Sequence, residues 1–120
     1  MKVINIKDVI KQHVGLPIFI GSVTRQSPVT DNEGSDLSID YVHFKNGARN
    51  KFHTHANDQV IIVLQGNGVV ATKEKTVAVK KGDIIWAPAG EVHWHGAEKN
   101  SSFTHISVTR AHTKLTLKES

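Results

Sequence analysis

The chain has 120 residues, a net charge of +4, a pI near 9.5 and no cysteine. That length suits one domain spanning 1–120 with its own hydrophobic core, and the missing cysteines exclude disulfides, thiolate metal sites and thiol nucleophiles. The positive charge is dispersed, with Lys73, Lys75, Lys80 and Lys81 interleaved with Glu74, Thr76 and valines; without a basic stripe carrying aromatic stacking platforms, no nucleic-acid partner is expected.

In chain order, the opening MKVINIKDVIKQH is too polar and charged for the apolar stretch of a signal peptide. A short helix is expected over residues 8–13, closed by Gly15 and Pro17. Residues 17–25 are apolar and β-branched and read as a strand, and 30–35 (TDNEGS) as a polar loop. Strands follow at 37–44, then, after a turn at Asn46-Gly47, at 52–55 and 60–64. Beyond a tight turn at Gly66-Asn67-Gly68 come 69–72 and 76–79, paired around Lys73-Glu74-Lys75. Then come 84–87, 91–95 and 101–109, while Lys114 and Lys118 fall in a tail read as frayed. Short strands at regular spacing with glycine turns predict an all-β sandwich or barrel, its core at about 19–109. Residues 60–64 (VIIVL) are apolar on both faces, so the outer face should be covered by the N-terminal segment or a second subunit; a homodimer is expected. No apolar run approaches the roughly 20 residues of a membrane span. A soluble, cytoplasmic protein without a membrane partner is the expectation.

The histidines carry the chemistry. Residues two apart on a strand share a face, so His53 and His55 project together and can converge on one ion. Gln59, after the short turn Ala56-Asn57-Asp58, can approach from the next strand. His93 can join if its hairpin folds back. Imidazole is the commonest protein ligand for first-row metals. Gln59 could instead be a hydrogen-bonding support, with water as the fourth ligand.

The spacing Gly47-x5-His53-x-His55-x3-Gln59-x6-Gly66, followed by Gly82-x5-Pro88-x-Gly90-x2-His93, resembles the two motifs of the cupin family. A cupin is a single-domain β-barrel (double-stranded β-helix, or jelly roll) holding one divalent metal per chain, which implies His53, His55, Gln59 and His93 as ligands. Two positions depart from the pattern: Gln59 stands where a glutamate is usual, and Ala97 where an asparagine often closes the second motif. Gln59, the run His93-Trp94-His95-Gly96 and His105 resemble a subgroup that includes the manganese-dependent cupin hydroxynitrile lyases and cupins associated with carboxymuconolactone decarboxylases. The resemblance implies manganese, with iron, nickel or zinc as alternatives. It also implies a lyase acting on a small hydroxy or oxo substrate, with His105 moving the proton near neutral pH and His95 holding a departing anion. The alternatives are an iron or nickel dioxygenase or isomerase, and a non-catalytic ligand-binding barrel whose metal is capped by bulky side chains.

Alternation places Asp40 with Val42 and Phe44, so it joins the pocket if those face inward and is otherwise a solvated aspartate near a turn; Lys51 shares the face of His53 and reads as solvated, with the rim as its alternative. His105 shares a face with Phe103, Ser107 and Thr109; an outward position against a partner subunit is its alternative. Trp86 and Trp94 are read as core or interface residues rather than substrate platforms.

Overall fold

The structure, a computed structural model, describes residues 1–120. Its strands are β1 (Gln12–His13), β2 (Phe19–Ile20), β3 (Val23–Val29), β4 (Leu37–Phe44), β5 (Arg49–Asn50), β6 (His53–His55), β7 (Gln59–Gly66), β8 (Gly68–Thr72), β9 (Thr76–Val79), β10 (Ile84–Ala87), β11 (His93–Ala97), β12 (Phe103–Arg110) and β13 (Leu115–Leu117). Two short 3-10 turns, at Ile6–Asp8 and Asp31–Glu33, are the only helical pieces. No helix is long and apolar enough to cross a membrane.

One sheet runs β1-β3-β4-β12-β7-β10; the other runs β13-β6-β11-β5-β2, with β8 on β11 and β9 on β8. All pairings are antiparallel, and the result is the jelly-roll barrel expected from the sequence. Strand alternation sets its interior: Gln59, Ile61 and Val63 of β7 and Phe103, His105 and Ser107 of β12 are all buried. The apolar core gathers Val23, Val42, Phe44, Val63, Val79 and Phe103. Phe44 lies 6.0 Å from the Phe103 ring and 5.4 Å from His105, so the polar site rests on an aromatic floor.

Two glycines are required by close approach. At Gly66 (φ +80°) a Cβ would strike the Ser102 carbonyl. At Gly96 it would strike Arg49, preventing the β11–β5 pairing of Gly96 with Arg49.

Three sequence expectations are corrected. Residues 8–13 form no helix: a 3-10 turn occupies Ile6–Asp8, and Gln12 and His13 pair with Arg25 and Thr24 of β3. The segment is too short to hold a helix alone, and the Gln26 amide instead donates to the carbonyls of Ile6 and Val9. The strand over 17–25 breaks at Gly21 (φ +87°), sending β2 and β3 to different sheets. The supposedly frayed tail is ordered as β13, pairing Leu115 with His55 and Leu117 with His53.

Candidate functional site

β6 and β11 pair His93 directly with His53, and β6 alternation puts His55 on the same face as His53. The ligand nitrogens of His53, His55 and His93 lie within 4.8 Å of one another, a group that could hold a metal ion. Ring centroids are 4.5 Å apart for His53–His93 and 5.0 Å for His53–His55.

Hydrogen bonds orient the rings. His53 Nδ1 donates to the Lys51 carbonyl (2.6 Å) and His93 Nδ1 to the Glu91 carbonyl (3.0 Å). Each contact places the proton on Nδ1 and leaves the Nε2 lone pair free, the arrangement a metal-binding imidazole needs. Gln59 Nε2 donates to Ser107 Oγ (2.8 Å), which turns Oε1 to within 3.0 Å of His93 Nε2. Two acceptors then face one another, a repulsive contact that a cation between them would relieve. His55 supplies the second test of fit: both its ring nitrogens are buried without a hydrogen-bond partner. A buried polar group left unpaired is costly, and an ion would remove that cost. The residues therefore fit a divalent metal. Burial, the largest effect, holds His53 and His55 down to about 4, with the neighbouring His93 lowering both further. They are neutral, and so available as ligands, at pH 7.

Beside the cluster lies a buried chain of polar contacts. Asn50 Oδ1 accepts from the His95 backbone N–H (2.8 Å), which fixes the amide and directs Nδ2 at His95 Nε2 (3.1 Å). His95 Nε2 is then an acceptor and its Nδ1–H donates to His105 Nε2 at 2.9 Å. Burial pushes His105 down to about 3 and His95 well below the usual imidazole value, the latter further lowered by His105. His105 does face the interior, yet the acceptor near neutral pH expected from the sequence is replaced by a neutral, weakly basic imidazole. The physical cause is complete desolvation.

These groups line a cavity of about 140 Å³ with exposed Leu16 and Leu115 among its lining. Asp40 lines it, in register with Ser107 and accepting from Ser27 Oγ (2.6 Å). Lys51 does not line it: its carbonyl orients His53, and its charge acts on Glu119. A larger groove of about 610 Å³ opens beside β8, β9 and β10, but His93 is the only member of the histidine cluster it meets. Trp86 is exposed on the outer face, donating to Asp58 (3.0 Å), and Trp94 stacks under the Arg49 guanidinium at 4.7 Å; neither lines the cavity.

Sequence reading missed Arg25, Asn50 and Leu115 as site residues. Arg25 was legible, because Val23, Arg25 and Ser27 alternate onto one face. Asn50 sits on a two-residue strand with no periodicity, and Leu115 in a tail that reads as frayed.

A jelly-roll barrel with a histidine cluster inside defines the class of protein. The Cupin domain family matches residues 40–109, and the chain belongs to that family. A cupin-like protein of Thermotoga maritima superposes with TM-score 0.80 at 32% identity, over 85% of this chain and 80% of its own. The polyketide cyclase RemF of Streptomyces resistomycificus superposes with TM-score 0.88 at 20% identity, over 98% and 85%, a likeness of fold. Among curated relatives, an (R)-mandelonitrile lyase of Granulicella tundricola is 38% identical over 68 residues, 56% of this chain and 52% of the relative. An acireductone dioxygenase of Cronobacter sakazakii is 34% identical over 71 residues, 53% of this chain and 39% of the relative. The chain thus spans about half the length, or less, of the curated relatives it matches.

Proposed function

We propose that this cupin is a metal-dependent enzyme of lyase type, acting on a small hydroxy or oxo compound in the 140 Å³ cavity. The observation that carries the metal is the cluster of His53, His55 and His93 with both nitrogens of His55 buried and unpartnered. His53, His55, His93 and the Oε1 of Gln59 would hold one divalent ion, manganese by the resemblance of the motifs. Such an ion supplies Lewis acidity to a substrate oxygen, undiminished by any anionic ligand. The chain's own residues supply the rest. Asn50 holds His95 so that Nδ1 carries its proton toward Nε2 of His105. Because burial keeps both imidazoles neutral, His105 takes up a substrate proton on Nε2 only as the His95 Nδ1–H turns away and frees that lone pair. That couples proton transfer at His105 to the chemical step. Phe44 and Phe103 keep water from beneath the pair.

A second reading, an iron or nickel dioxygenase, is favoured by the acireductone dioxygenase relatives. A capped, non-catalytic metal would call for bulky side chains closing the site, and the cavity beside the histidines runs against it.

The test is metal analysis of protein purified without a histidine tag, followed by cyanohydrin cleavage by the manganese-loaded protein with and without oxygen. One ion per chain and oxygen-independent turnover are expected. His93→Ala should lose metal and activity together. His105→Ala should keep its metal and lose turnover by roughly 10²- to 10⁴-fold. Strict dependence on oxygen with iron or nickel would replace the lyase reading by the dioxygenase one.

A further inference from the structure

We infer that Arg25 holds a carboxylate of the preferred substrate, so that the site favours a small hydroxy or oxo acid over a neutral compound such as a cyanohydrin. The inference deepens the proposed function and rests on its reading of the cavity as the substrate site.

Arg25 lies on β3 between Val23, which is fully buried, and Ser27, and alternation turns all three to the same side. Its partner across the β3–β4 ladder is the buried Val42, which in turn pairs with His105. Arg25 therefore lines the same cavity as His53, His55, Gln59 and His105. It is the only lysine or arginine that does so, and Asp40 the only carboxylate.

The guanidinium has no partner of its own. No carboxylate lies within ion-pair distance, no hydrogen-bond acceptor is in reach, and no aromatic ring sits beneath it; the chain's salt bridges are Lys2–Glu33, Arg49–Glu119 and His112–Asp31. Arg49, which is also partly buried, shows the contrast: it is satisfied by Glu119 at 2.7 Å. Asp40, the nearest candidate in the cavity, is instead engaged by Ser27 Oγ at 2.6 Å. A partly buried guanidinium with its planar fork of donors free is pre-organised for a two-toothed contact with a carboxylate.

Charge and size agree with that ligand. Arg25 and Asp40 cancel, and the surrounding histidines and Gln59 are neutral, so a divalent ion in the cluster would leave the cavity positive and draw anions inward. A cavity of about 150 Å³ accommodates a benzene-sized molecule; at about 140 Å³ this one suits a molecule of about six heavy atoms, the size of a three-carbon hydroxy acid.

The experiment is calorimetric titration of lactate, pyruvate and the neutral lactamide into wild type, Arg25→Gln and Arg25→Lys, each metal-free and manganese-loaded. Lactate should bind wild type more tightly than lactamide. Arg25→Gln should weaken lactate by roughly 10- to 100-fold, the worth of a charge-assisted contact, leaving lactamide and metal content unchanged. Arg25→Lys should recover part of the loss, since it restores the charge but not the fork. Equal affinity for lactate in wild type and Arg25→Gln, or lactamide binding as tightly as lactate in wild type, would overturn the inference; the latter comparison needs no variant. Absence of binding by all three compounds at millimolar concentration would overturn it as well. Failure of the wild type to take up metal would count against the proposed function alone, because the Arg25 dependence is read in the metal-free protein too.

Discussion

At the scale of single residues, the site is built from neutral groups forced into one another's company. His53 and His93 each give the proton on Nδ1 to a backbone carbonyl, Gln59 gives its amide hydrogen to Ser107, and the lone pairs left over face a common point. His105 states the cost most simply. Unfolded, it titrates at the ordinary 6.5; folded, burial holds it at about 3. Between those values the unfolded chain binds the extra proton, so stability is fully present above about pH 6.5 and is lost as the pH falls toward 3. Urea unfolding of the metal-free protein from pH 7 to pH 4 should show that decline. In His105→Gln it should be shallower by up to about 1.4 kcal/mol per pH unit. Equal slopes in the two proteins would mean that His105 titrates freely in the folded barrel.

At the scale of elements, β13 is the unexpected support. It caps the open edge of β6, pairing Leu115 with His55 and Leu117 with His53, and backbone bonds Ala56→Lys114 and Lys118→Phe52 extend the contact. Glu119 locks it, accepting from Arg49 (2.7 Å) and from the Phe52 N–H (2.9 Å), the residue just before His53. Those bonds hold the Glu119 carboxyl below the usual range, the Phe52 N–H foremost. Residues that orient ligands from behind contribute to metal affinity. Glu119→Ala should therefore lower affinity for cobalt or manganese by up to about tenfold while shifting the melt of the metal-free protein little. Chelator competition followed by cobalt absorption, beside a thermal melt, measures both. Unchanged affinity would leave the strap a packing role only.

At the scale of the whole molecule, the outer face of the six-stranded sheet is covered unevenly. Around Gln26 the outer face is covered by the N-terminal segment, whose Ile6 and Val9 carbonyls accept from the Gln26 amide. Farther along the same sheet, Ile84 and Trp86 of β10 are exposed beside Ile62 and Val60 of β7. A second copy of the chain is the occupant expected from the doubly apolar β7, since a pair related by two-fold symmetry buries one such patch against another. Size-exclusion chromatography with light scattering should give a dimer, and Trp86→Lys should shift it to monomer with its metal content intact. A wild-type monomer at tens of micromolar would remove the dimer from consideration.

What the sequence alone determined was whatever short-range pattern encodes. The period of two placed His53 with His55 and put Asp40 on the face of Val42. The glycine turns marked the strand ends and hence the all-β barrel, and the spacing of His53, His55, Gln59 and His93 picked out the cluster. What only the tertiary structure decided depends on partners distant in the chain. Residues 8–13 had a helix stop but no apolar face to hold a helix, and Gln26 claimed the nearby carbonyls. Residues 115–117 look like a frayed tail until the open edge of β6 offers them hydrogen bonds some sixty residues away in sequence. The basicity of His105 could not be read from its strand face, because desolvation depends on everything that surrounds a side chain. Arg25 is the intermediate case: alternation shows that it points inward, but only the packed barrel shows that its charge meets no counterion.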